Sequence, residues 1–95
     1  MHSVYKFPGV FPQIQNMQEA LAIVSRHHIK SEIIGEWLYC FTTPLIGFQL
    51  DYIGFWYSFK HCAWVYSGTE KDDTPADSES LDEIRHRLGS QRVVS

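Results

Sequence analysis

Residues 31–43 read SEIIGEWLYCFTT, and they supply the central strand of the expected sheet. Ile, Trp, Tyr and Phe favour a pleated strand. Taken as one strand, the stretch shows Ile33, Trp37, Tyr39 and Phe41 on one face. The other face shows Ile34, Leu38 and Cys40. Both faces are apolar, which suits a strand that is central or covered on both sides. Gly35 then marks a bulge or a close approach.

Toward the N-terminus, NMQE (16–19) is a capping-box pattern in which Asn16 accepts from a free backbone N–H and Glu19 reaches back. Met17, Ala20, Leu21, Val24 and His28 follow at helical spacing, predicting a helix that ends near His27 and His28. Residues 1–15 hold Pro8, Gly9 and Pro12 among Tyr5, Phe7, Val10 and Phe11, an irregular arm with apolar groups to bury.

Toward the C-terminus, TPLIGFQLDYIG (43–54) predicts a short helix capped by Thr43 and started by Pro44, with Gly54 after its last turn. Its face would be Leu45, Phe48, Gln49 and Tyr52, flanked by Leu50 and Ile53. Gly47 costs about 1 kcal/mol relative to Ala in a helix, which points to close packing there. FWYS and CAWVYS (55–58 and 62–67) then read as two strands around a turn at Phe59, Lys60 and His61. SLDE (80–83) is a second capping box, and Leu81, Ile84 and Leu88 form a narrow stripe before Gly89.

The expected fold is one small α+β domain, ordered α-β-α-β-β plus a short C-terminal helix. Its sheet is three-stranded and mostly antiparallel, with helices on one face. Residues 1–68 form the domain with its arm, 69–79 an acidic linker, and 80–95 a short helix and tail.

The chain has 95 residues and a formal net charge of −3. Residues 1–68 balance four bases against four acids, and the whole acidic excess lies beyond them. Neutralised phosphates supply most of the affinity of a nucleic-acid binder, so this balance argues against one. Without an export signal or a membrane-length apolar run, the sequence reads as a soluble protein of a bacterial cytoplasm, with Cys40 and Cys62 reduced and buried.

SEIIGEWLYCFTT, LDYIGFWYSFKHCAWVY and LDEIRHRLGSQRV, in that order, resemble a group of small phage- and plasmid-encoded proteins often labelled DnaJ-like. The His-Pro-Asp tripeptide of a J-domain is absent, so the chaperone role does not carry over. The G-F-x-[WY]…A-W hairpin is also similar to accessory modules beside primases and annealing helicases. The resemblance implies a mobile-element origin and proximity to nucleic-acid processing. Where that group tends to carry Lys or Arg, this chain has Asp51, Trp56, His61 and Cys62, and only Lys60 remains of the basic turn.

The residues offer little for catalysis or a cofactor. A structural zinc site wants four ligands with a tight pair among them, which Cys40, His61 and Cys62 do not supply. There is no G-x-S-x-G elbow, phosphate loop or H-E-x-x-H. No enzyme, metal or cofactor is therefore expected. Eleven of the fourteen aromatic residues lie between Trp37 and Tyr66. Most belong to a core, while Trp56 and Phe59 stand at the hairpin tip, where an aromatic ring can anchor a protein contact.

The expected function is a non-enzymatic protein-binding accessory factor of a phage or mobile element, inhibiting host nucleic-acid or defence machinery in the manner of an anti-CRISPR protein. Its contact residues would be Trp56, Phe59, Lys60, His61, Asp72, Asp73 and Arg85. The alternatives are a nucleic-acid-binding accessory domain and an oligomeric structural protein.

Overall fold

The stretch 31–43 holds two strands. In the computed structural model, which describes residues 11–67 and 79–94, β1 (Ser31–Ile34) and β2 (Trp37–Cys40) form an antiparallel hairpin closed by Gly35 and Glu36. Gly35 has φ +64°. A primed two-residue turn needs positive φ at its first central position, and glycine takes it without steric cost. The single long strand expected from composition is thereby corrected.

The turn also changes which side chains share a face. It pairs Ile34 with Trp37 and Ile33 with Leu38, and residues directly opposite in a pair point to the same side. Ile34 therefore joins Trp37 and Tyr39, and Ile33 joins Leu38 and Cys40, the reverse of the grouping a continuous strand gives.

The remaining elements are α1 (Met17–Arg26), α2 (Pro44–Tyr52), β3 (Trp56–Ser58), β4 (Ala63–Ser67), α3 (Leu81–Leu88) and β5 (Ser90–Val94). Among the described residues the sheet has five strands, in the order β3-β4-β2-β1-β5, every pair antiparallel. The expected three strands become five because 31–43 splits and because the tail SQRVV pairs with β1. The α+β class stands. Among the described residues, no helix is long and apolar enough to cross a membrane.

Helices cover both faces rather than one. On one side Leu38, Cys40 and Trp64 pack with Ala20, Ile23 and Val24 of α1 and Leu50 of α2. On the other, Ile34, Tyr39, Ala63 and Val65 pack around Ile84 of α3, with Leu81 and Leu88 alongside. A helix of eight residues does not persist alone in water. Burial of Ile84 and the capping box between Ser80 and Glu83 hold this one.

Helix α1 starts at its Asn16 cap, and Glu19 accepts from the backbone N–H of Gln15. It ends at Arg26, and His28 lies beyond it at φ 55°. Helix α2 starts as expected at Thr43 and Pro44, but is rotated. Gly47, Leu50 and Ile53 point inward, while Leu45, Phe48 and Tyr52 of the expected inner face point to solvent. Both sides of the helix are apolar, so the pattern could not choose between them. Contact at Gly47 chooses: a Cβ there would overlap Nε1, Cε2 and Cζ2 of the Trp64 indole.

Two substitutions test this packing. Gly47→Ala gains about 1 kcal/mol of helix propensity but overpacks the indole, which costs about 1–3 kcal/mol. Urea unfolding should show net destabilisation, opposite in sign to the same change on an exposed helix face. Ile84→Ala should cost about 2–5 kcal/mol in the same measurement, a loss that a merely tethered α3 would not show.

Candidate interaction surface

Rotation of α2 places an apolar stripe on the surface. Leu45, Phe48 and Tyr52 follow one another at i, i+3 and i+7 and so lie along one side of the helix. They are 51%, 65% and 79% exposed. The β3–β4 hairpin extends the stripe. Tyr57 stands opposite Trp64, with ring centroids 4.8 Å apart. The Phe48 ring meets Trp64 edge-on at 6.0 Å, and Phe59 meets Tyr57 edge-on at 5.0 Å. The rings Phe59, Tyr57, Trp64 and Phe48 thus form an unbroken series from the hairpin turn to α2, in the edge-to-face and tilted geometries that aromatic quadrupoles favour. Trp64 is buried at the centre, and Phe59 is 85% exposed at the end.

The two hairpin aromatics singled out from sequence diverge. Phe59 belongs to this series. Trp56 stands opposite Val65, whose side chain packs in the α3-side core, so Trp56 belongs to the opposite face. Lys60 is exposed in the turn.

His61 is only 7% exposed, and its polar atoms are engaged. Its backbone N–H donates to Ser58 Oγ, and Ser58 Oγ lies 3.2 Å from Nδ1. Nε2 lies 2.9 Å from the Glu79 carbonyl oxygen. A carbonyl only accepts, so Nε2 carries a hydrogen, and in the neutral ring Nδ1 accepts from the Ser58 hydroxyl. The ring ties the hairpin turn to the residue before the α3 cap. Beside it, Arg87 pairs with the Glu79 carboxylate, and this hydrogen bond holds the Glu79 carboxyl below its ordinary range.

Arg85 forks onto Glu32 of β1 through Nε at 2.7 Å and Nη2 at 2.9 Å, while Nη1 donates to Asp82 at 3.0 Å. A bidentate guanidinium–carboxylate pair is among the stronger polar contacts a protein makes. Here it joins α3 to the sheet. Asp72 and Asp73 lie outside the described residues. Of the expected contact residues that are described, the structure gathers with Phe59 only its turn neighbours Lys60 and His61. Leu45, Phe48 and Tyr52 were missed as surface groups because their helical spacing reads equally well as a buried face.

The cysteines also part. Cys40 is buried, and burial pushes its thiol up to about 12. Cys62 is exposed, contrary to expectation, because it sits in the hairpin turn at φ 54°. Both are free thiols. No group of three or more His, Cys, Asp or Glu able to hold a metal occurs among the described residues.

A disulfide reagent such as Ellman's should therefore titrate one thiol in the native protein at pH 8, removed by Cys62→Ser, and a second only after denaturation. Rapid native reaction of both would contradict the burial of Cys40.

The chain matches no protein family, no curated protein and no solved structure with which it was compared.

Proposed function

We propose that this chain is a non-enzymatic protein-binding factor whose contact surface is the stripe of Leu45, Phe48 and Tyr52 on α2, continued by Phe59 of the hairpin. The observation that carries this reading is the outward turn of three large apolar side chains on one helix, contiguous with a ring at the hairpin tip. Small proteins seldom leave such side chains together in water, and a patch of this kind is the usual mark of a docking surface. Aromatic rings contribute most of the energy at such surfaces because they bury much area with few rotatable bonds.

The charges nearest the stripe in sequence favour a protein over a phosphate backbone. Asp51 adjoins Tyr52 and Lys60 adjoins Phe59, so the charges that flank the rings in sequence cancel, where base stacking is accompanied by a cationic surround. A role for a phage or other mobile element, directed at host nucleic-acid or defence machinery, is part of the same proposal. It is supported by the three sequence motifs in order and by the acidic balance of the chain.

The test compares the two faces. The immobilised chain is offered purified nucleases and nucleoproteins of candidate bacterial hosts, with Phe48→Ser and Phe59→Ser against Trp56→Ala. Loss of a central ring costs about 2 kcal/mol or more at a docking surface, roughly thirty-fold in Kd. Binding weakened by the first two substitutions and kept by the third is the expected result. Equal binding by all three, or loss with Trp56→Ala alone, refutes the surface.

A further inference from the structure

A separate cavity of about 150 Å3 opens on the α3 side of the sheet, lined by Lys30, Glu32, Phe41, Arg85, Arg92 and Val94 with Ser31. It is independent of the aromatic stripe. Its residues come from the residue before β1 and the start of β1, the residue after β2, the second half of β5 and the middle of α3. The Phe41 N–H donates to the Lys30 carbonyl at 2.9 Å, which carries the β1–β2 ladder one pair further and holds the two side by side.

The charges in this cavity are arranged in an unusual way. Glu32 stands opposite Arg92 in the β1–β5 register, where opposite charges would ordinarily pair across the strands. Instead both Glu32 oxygens accept from Arg85. Lys30 and Arg92 are left exposed, with no ion-pair partner among the described residues. Three cations and one acid line the cavity, and the acid is already satisfied.

The backbone is specialised at the same place. The β1–β5 register shifts between Ser31 and Glu32, whose partners are Val94 and Arg92, so Val93 is an extra residue. Val93 packs into the α1-side core, while Arg92 and Val94 line the cavity. A bulge of this kind re-aims side chains and is common beside binding sites.

We infer that this cavity binds a phosphate group, with Lys30 and Arg92 as its direct partners and Arg85 as the residue that holds Glu32 away from them. Liquid water occupies about 30 Å3 per molecule, so the cavity has room for one tetrahedral oxyanion and part of its hydration. Two cations without an ion-pair partner among the described residues match the negative charge of a phosphate group, and a guanidinium with free N–H groups can meet two phosphate oxygens at once. The phosphate can belong to a free phosphomonoester or to a nucleic-acid backbone.

The test is a nitrogen-15 NMR titration of the full chain with inorganic phosphate, with chloride holding ionic strength constant. Saturable shifts at the amides of Lys30, Glu32, Phe41 and Arg92, with a Kd of about 1 mM or tighter, are expected. Lys30→Gln and Arg92→Gln should each weaken binding about ten-fold, and Lys60→Gln should leave it unchanged. The variant sites are exposed, and retained dispersion of the spectrum establishes that each variant is folded. Further arms use acetate, a nucleoside monophosphate and a short oligonucleotide. Tighter binding of the monophosphate assigns the source to free phosphomonoesters, and tighter binding of the oligonucleotide assigns it to a phosphodiester backbone. No saturable shift, a shift indifferent to both cavity variants, or acetate binding as tightly as phosphate would overturn the inference.

Discussion

The backbone of α2 lies against the face of the Trp64 indole, and only a residue without a side chain permits that approach. This contact at Gly47 fixes the rotation of α2 about its axis. With Gly47 inward, Leu50 and Ile53 fill the core beside Phe55, and Leu45, Phe48 and Tyr52 are carried outward. Trp64 transmits the arrangement to the hairpin, since it also packs on Tyr57, which in turn meets Phe59. The surface proposed for partner binding is thus a consequence of one core contact. A helix with two apolar sides has little preference of its own, so a single steric requirement decides which side is buried.

A second constraint sets the sheet. The turn at Gly35 and Glu36 folds a continuous apolar run into two strands and brings Ile34 onto the face of Trp37 and Tyr39. That face needs cover, and α3 supplies it through Ile84. The Arg85–Glu32 fork joins α3 to β1, and the bond from His61 to the Glu79 carbonyl joins the residue before the α3 cap to the β3–β4 turn. Gly35 donates to the Gly89 carbonyl at 3.1 Å, so the same turn anchors the end of α3 as it passes into β5. Polar ties of this kind contribute about 1 kcal/mol each, more when charged, and here they fix where a short helix can dock.

The two proposed sites therefore lie on opposite sides of the sheet and draw on different chemistry. One presents aromatic rings with few charges beside them. The other presents two cations around a small hollow that have no ion-pair partner among the described residues, because Arg85 has taken the acid that stands opposite Arg92. A net negative chain can carry such a local cationic site because a site responds to the charges within a few ångströms, while more distant exposed charges are screened.

Local chemistry made much of this protein legible in its sequence. The caps at Asn16, Thr43 and Ser80, the stop at Gly89, the β3–β4 hairpin and the apolar stripe of α3 follow from short-range hydrogen bonding and spacing, and each appears where its residues predict it. The close packing at Gly47 was legible too, as a glycine with a helical cost and no local benefit. Tertiary structure alone decided the rest. Composition could not separate one strand from a two-residue hairpin, because the run is apolar on both sides of Gly35. Spacing could not orient α2, because both of its faces are apolar. The tail SQRVV becomes a strand only because β1 offers it an edge. The freedom of Lys30 and Arg92 depends on where α3 delivers Arg85, across 53 residues of chain.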